Sequence, residues 1–306
     1  MVSEKRLLAE INQLVISFRE LNITRGQQRI LSDATGHIFS GELVALIGEN
    51  GAGKSTLLHA LAGQIPATGC IELHGKVLSD WPVAELAKYR AVLNQHNALP
   101  FAFSVPELVA MGRYQMVESN AERNDKVAQY IAEVELSHKV SRKVNQLSGG
   151  ELQRLQFARC LAQLDAPVKS AIPDLKRREL KRHERPTAEQ QNAELEANSQ
   201  EQQAPKLMLL DEPTAALDLR HQHSLLQSVK YFTEQGNSAI VAIHDLNLAA
   251  LYADKVMLIK DGKLAYQGSP QAVLTSEILS QTYQTPINVM PYPQANVPMV
   301  YSAVNQ

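Results

Sequence analysis

The chain has 306 residues, 44% of them hydrophobic, and its 30 basic and 32 acidic side chains leave a formal net charge of −2. That length suits one large α/β domain with attachments, and the near-neutral balance excludes a global electrostatic grip on nucleic acid. No stretch approaches the roughly 18 uninterrupted apolar residues of a membrane-spanning helix. The start, MVSEKRLLAEINQLVISF, lacks an apolar signal core with a small-residue cleavage site, so the chain reads as cytosolic. Cys70 and Cys160 have no CxxC spacing and read as packing residues in a reducing compartment.

In chain order, residues 14–24 (LVISFRELNIT) and 37–47 (HIFSGELVALI) read as strands, with β-branched and apolar residues in short runs. The second run meets a glycine-rich turn and then STLLHALAG, which has helical spacing and a terminal Gly63. About residues 96–162 the pattern is mostly helical. Residues 164–205 are rich in Lys, Arg, Glu, Gln and Ala with few large apolar side chains, so they cannot supply a core. Their basic block KRRELKRHER reads as part of a charged, solvent-exposed loop. LMLL at 207–210 then ends in acids, and SAIVAI at 238–243 ends at His244. Such short apolar runs between helical patterns suit parallel strands covered on both faces, with the ligand crevice beyond their carboxyl ends. VMLIK-DG-KLAYQG predicts a hairpin across Asp261-Gly262, and Ser269-Pro270 starts a helix.

Three features carry chemistry. Gly48-Glu49-Asn50-Gly51-Ala52-Gly53-Lys54-Ser55 fits GxxxxGK[ST] between a strand and a helix. Glycines let backbone N–H groups converge on phosphate oxygens at a helix N-terminus, Lys54 reaches the β and γ phosphates, and the Ser55 hydroxyl ligates Mg²⁺. Asp211, at the end of the acidic strand, is placed to hold the same ion, and Glu212 to accept a proton from attacking water as general base. His244 is a candidate contact for the γ phosphate. Gln95, in VLNQHN, is a candidate to ligate magnesium or orient water and to report nucleotide state to the neighbouring helices. Finally, Ser148 with Gly149 and Gly150 opens a second helix in LSGGELQR. One phosphate site does not need two such cradles, whereas two chains arranged head to tail use both.

Together GENGAGKST, Gln95, LSGGELQR, LLDEPTAALD and His244 resemble the ABC ATPase family over roughly residues 10–270. The resemblance implies an α/β P-loop fold with a mostly parallel sheet, an N-terminal antiparallel β-subdomain and an inserted helical subdomain. It places the ATP-binding core at 1–95 and 206–265, the helical subdomain at 96–163, the charged insertion at 164–205 and a C-terminal extension at 266–306. It also implies ATP and Mg²⁺ as ligands, with Thr56 joining residues 48–55 at the nucleotide. In the implied homodimer Ser148, Gly149, Gly150 and Glu151 act in trans, and Asp218 communicates across the interface.

A finer similarity is to the subunits of iron-siderophore, vitamin B12 and hemin importers. SVPELVAMGRYQM at 104–116 looks like their permease-facing segment, and PTAALDLRHQHSLL with the tail INVMPYP looks most like the hemin group. The partners implied are two permease subunits and, indirectly, a periplasmic substrate-binding protein. The place implied is the cytoplasmic face of the inner membrane, held peripherally. Two departures stand out. Ala215-Ala216 occupy a position where the family commonly has Ser, and no aromatic lies near Ile23–Gly26 to stack on adenine, which leaves the guanidinium plane of Arg25 as the candidate.

A soluble ATPase of the same family acting on DNA or ribosomes is the rival reading. Ribosome-associated types usually carry two cassettes, and DNA-repair types place a coiled coil between phosphate loop and signature, where this chain has only residues 56–147. No NKxD sequence supports a GTPase. An exporter or lipid-extracting subunit is a third reading, against which 104–116 argues. His221 and His223 read as surface residues, because positions two apart do not share a helix face.

Overall fold

The computed structural model describes residues 14–95, 103–165, 204–293 and 296–302. The N-terminal 1–13 and most of the charged insertion, 166–203 with its basic block, lie outside the described residues. In chain order the elements are β1 (Leu14–Arg25), β2 (Gln28–Phe39), β3 (Leu43–Gly48), α1 (Lys54–Leu61), β4 (Thr68–Leu73), β5 (Lys76–Val77), α2 (Val83–Tyr89), β6 (Arg90–Leu93), α3 (Val105–Ala110), α4 (Asn120–Glu133) and α5 (Gly149–Leu164). There follow β7 (Leu207–Asp211), α6 (Leu219–Glu234), β8 (Ser238–Ala242), α7 (Leu246–Tyr252), β9 (Lys255–Lys260), β10 (Lys263–Gly268), α8 (Pro270–Val273), α9 (Ser276–Tyr283), β11 (Ile287–Pro291) and β12 (Pro298–Ser302).

A six-stranded sheet ordered β10-β9-β3-β8-β7-β6 forms the core, parallel except for the edge strand β10. Both faces are covered, which is why β3, β7 and β8 are continuous apolar runs. Along β3 the pleat sends Leu43, Ala45 and Ile47 into one core cluster, shared with α4, α5 and α6. Val44 and Leu46 enter the other, shared with α1 and the antiparallel sheet β2-β1-β4-β5.

The single strand expected over 37–47 is two. His37–Phe39 close β2 in the antiparallel sheet, and Leu43 begins β3 in the parallel one. Gly41 makes the turn at φ +86°, while the Glu42 carboxylate accepts from the Phe39 N–H at 2.8 Å. The break is invisible to hydropathy because both halves are apolar, although Ile38 buries with Val44 and Leu46 on one side of the parallel sheet while Leu43, Ala45 and Ile47 bury on the other. Asp261 and Gly262 do form the β9–β10 turn, with β10 continuing through Gly268. The hairpin β11–β12 has no counterpart among the expected elements. It is fastened to α7 through Asn247, whose amide donates to the Val300 carbonyl at 3.0 Å and accepts from its N–H at 2.7 Å.

The helical region is tied together at Asp165, which caps α5 at φ +46°. Its carboxylate accepts from Tyr130 at 3.0 Å and from Lys126 and Arg113 at 3.2 Å. Arg113 is 3% exposed and also pairs with Glu118 and the Ala162 carbonyl. Within the segment 104–116, then, Arg113 points inward, and Met111 and Tyr114 are the exposed large hydrophobic side chains. At the far side of the charged insertion, the Lys206 ammonium donates to the Leu164 carbonyl at 2.7 Å, so the two ends of that insertion adjoin. Among the described residues no helix is long and apolar enough to cross a membrane.

Replacing Arg113→Met leaves the buried Glu118 carboxylate with only the longer contact to Arg123, so urea unfolding is expected to show a loss of about 3 kcal/mol. A shift within the scatter of surface substitutions overturns this role. Because the ends of the insertion already meet, removing 170–203 is expected to leave ATPase turnover nearly unchanged. Collapse of folding on deletion contradicts that expectation.

Candidate active site

The phosphate loop starts where β3 ends. Gly48 has φ +145°, and a Cβ there would lie 2.3 Å from the Ile259 carbonyl oxygen of the neighbouring strand, so only glycine fits. The loop then enters α1 through Gly53 as N-cap, and no side chain caps the helix. Its leading N–H groups are thus left for an anion, at the positive end of the helix dipole. Lys54 is 5% exposed, with its ammonium on the carbonyls of Gly48 at 2.8 Å and Glu49 at 2.9 Å. Burial lowers its pKa, opposed by the charges of Glu212 and Asp211.

Across the sheet, the Ser55 hydroxyl donates to Asp211 at 3.0 Å. Burial pushes the Asp211 carboxyl up, and the Ser55 hydrogen bond opposes that shift. Next to it, Glu212 stands in the left-handed backbone region at φ +49°. One oxygen of its carboxylate accepts from the Gln95 amide, and the other lies 2.5 Å from Nε2 of His244. Gln95, Glu212 and His244 join Asn50, Gly51 and residues 53–56 of the phosphate loop around one cavity of about 430 Å³. Arg25 and Ile30 line its remaining wall, and no Phe, Tyr or Trp among the described residues does so.

The donor set suits the ligands expected from the sequence. Among the described residues no group of three or more His, Cys, Asp or Glu is arranged around a common point. A hydroxyl, a carboxylate and an amide beside a phosphate cradle fit a hard ion that takes its other ligands from phosphate and water, as Mg²⁺ does.

Other expected residues stand apart from this cavity. Ser148 caps α5, its hydroxyl accepting from the Glu151 N–H at 3.3 Å while the Glu151 carboxylate accepts from the Ser148 N–H at 2.9 Å and from Lys139 at 2.8 Å. Gly149 and Gly150 pack on Ala216, where a Cβ on Gly150 would lie 2.7 Å from the carbonyl oxygen. That contact gives the second glycine a reason within its own chain, and the small Ala216 a place. Asp218 caps α6 and holds His221, accepting from its N–H at 2.9 Å with Nδ1 at 2.8 Å. His223 pairs instead with the Tyr252 hydroxyl at 2.7 Å, so the two histidines serve separate contacts.

Two participants were not singled out from sequence. Tyr283 of α9 forms a hydrogen bond with the Gly48 backbone, and burial pushes its phenol up to about 12. Gln153 of α5 reaches the Glu212 carbonyl at 2.7 Å. Its place within LSGGELQR was the only available signal.

The hydrogen bond from Lys139, then that from the Ser148 N–H, hold the Glu151 carboxyl at about 2. A depressed acid stabilises the fold fully above its ordinary range, and that contribution is lost as pH falls from about 4.5 to about 2. Glu151→Gln should therefore lower the melting midpoint at pH 7, with the gap to the parent closing as pH falls through that window. A gap that stays constant with pH removes the carboxylate from the account.

Residues 31–166 match the ABC transporter family. The chain is 38% identical to the hemin import ATP-binding protein HmuV of Idiomarina loihiensis over 281 residues, covering 92% of this chain and 96% of that one. It is 42% identical to the protein of the same name from Gloeobacter violaceus over 264 residues, covering 85% and 84%. The fold is similar to a chain of a metal-chelate type ABC transporter in an inward-facing conformation, with TM-score 0.69 and 22% identity, covering 95% of this chain and 98% of that one. It is also similar to an ATP-binding cassette in a post-hydrolysis dimer with ADP and phosphate, with TM-score 0.63 and 22% identity over 83% and 98% of the two chains. With a phosphate loop, an acid pair and a capped LSGGELQR helix on this sheet, and with relatives alike over nearly their whole length, the chain belongs to the ATP-binding proteins of ABC transporters.

Proposed function

We propose that this chain hydrolyses ATP to energise an importer, and that hemin is the cargo taken up across the inner membrane. The convergence of Gln95 and His244 on Glu212, facing Lys54 and Ser55 across one cavity, supports the hydrolytic part. The cargo rests on relatives named for hemin import that match nearly the full chain.

In this reading the free N–H groups of α1 and the Lys54 ammonium bind the β and γ phosphates. Ser55, Asp211 and Gln95 would hold Mg²⁺, which supplies charge neutralisation on the phosphate oxygens. Glu212 takes a proton from the attacking water, and His244 holds the γ phosphate side of the site. Arg25 offers its guanidinium plane to the base. Ser148, Gly149 and Gly150 lie outside their own chain's nucleotide cavity, which favours their use on a partner's ATP with Asp218 at the shared interface. Glu151 serves that turn through its cap.

Permease docking falls to the groove between β6 and the helices α3 and α5. A cavity of about 380 Å³ opens there between Arg90, Asn94 and Gln156, beside the exposed Met111. Two permease subunits would seat a dimer of this chain peripherally on the cytoplasmic face, with a periplasmic binding protein acting through them.

Glu212→Gln is expected to lower ATP turnover at least about a hundredfold while ATP-driven dimerisation persists. Parental turnover in that variant removes Glu212 as the base. For the cargo, vesicles carrying candidate permeases and loaded binding proteins should show ATPase stimulation with the hemin system. Stimulation by a siderophore or vitamin B12 system instead would replace hemin.

A further inference from the structure

Glu212 adopts a backbone conformation that residues with a Cβ take up reluctantly, and such a conformation persists only where the surroundings fix it. Part of the restraint is local: the Glu212 carbonyl accepts from the Ala215 N–H at 3.3 Å. The shorter bond comes from another element. Gln153, in the second turn of α5, donates from Nε2 to that carbonyl at 2.7 Å, and its Oε1 accepts from the Ala216 N–H at 3.1 Å. A carboxamide can donate and accept at once, so one side chain spans both ends of the turn that carries the catalytic acid.

The opposite side of the loop is held by Gln222 of α6, whose amide donates to the carbonyls of Thr214 at 3.3 Å and Leu217 at 3.1 Å. Gln153 differs in where it comes from. Its helix begins at Ser148 and is packed through Gly150 on Ala216. A second cavity of about 330 Å³ lies between α5 and this loop, and it shares Gln95 and Glu212 with the nucleotide cavity. The space beside Gln153 therefore borders the site where the acid works.

We propose that Gln153 is a positioning residue for hydrolysis: it holds Glu212 in its left-handed conformation, keeping the carboxylate between Gln95 and His244, and it ties that setting to the position of α5. The inference rests on Glu212 being the base. It makes the helix that offers Ser148 to a partner's nucleotide also the support of the acid in its own chain. When α5 shifts away from the loop, the Glu212 carbonyl loses its restraint and the carboxylate leaves its two partners.

The test compares the full chain with Gln153→Met, which keeps the length but neither hydrogen bond, and Gln153→Glu, which keeps only the acceptor. Both should lose about tenfold in kcat, with KM for ATP staying within about twofold. The double variant Gln153→Met with Glu212→Gln should still dimerise on ATP as Glu212→Gln does, since the sandwich itself is intact. Parental kcat in both folded variants overturns the inference. So does a parallel fall of kcat and ATP affinity, loss of dimerisation in the double variant, or failure of both variants to fold, since each assigns Gln153 to packing or to the interface. Failure of the underlying reading is separate: Glu212→Gln alone then turns over at the parental rate. An inactive Glu212→Gln beside a fully active Gln153→Met sinks only the positioning role.

Discussion

Ser55 and Asp211 are 156 positions apart and share a hydrogen bond of 3.0 Å. That contact depends on β3 and β7 flanking β8 in a parallel sheet, so that a phosphate loop and an acidic strand end emerge at the same edge. Parallel strands with both faces buried can occur only where helices cover them, and here α1 covers one face while α5 and α6 cover the other. The nucleotide cavity lies at the carboxyl edge these layers create, where a polar cluster remains reachable beside fully buried strands.

Around this edge the chain places charges where burial would otherwise be costly. Lys54 rests on two loop carbonyls with Glu212 and Asp211 nearby, and Asp211 takes the Ser55 hydroxyl. The helical region repeats the solution at Asp165, where three donors meet one carboxylate, and at Arg113, whose buried guanidinium is met by Glu118, Asp165 and the Ala162 carbonyl. Desolvated charges left without partners would be strongly destabilising, so these clusters also fix which helix faces meet. The packing of Gly150 on Ala216 and the amide of Gln153 then join that region to the loop that follows β7.

Much of this was readable in one dimension. Residues 48–55 lie within seven positions of one another, so their loop geometry follows from local constraints, and Lys54 folds back onto the Gly48 carbonyl. The acid pair, His244 and the Asp261-Gly262 turn were equally legible, because each ends or joins a short apolar run. The division of 37–47 was not legible, since hydropathy cannot tell which of two sheets an apolar residue joins. Strand β4, with an exposed start, and β6, only four residues long, also fall below what patterning detects. Arg113 looked like part of a partner-facing segment, yet its guanidinium is consumed inside the fold.

The sequence by itself determined the kind of chemistry: phosphate binding, an acid pair beside it, and a second helix-opening turn. Those depend on residues near one another in the chain, whose backbone requirements are local. Only the tertiary structure decided that Gln95 and His244 meet on the two oxygens of Glu212, that Arg25 and Ile30 wall the cavity, and that Gln153 supports the acid from α5. Each of those contacts joins separate elements, and their distances follow from how the strands order themselves and how the helices pack across them. No spacing within the sequence encodes that order.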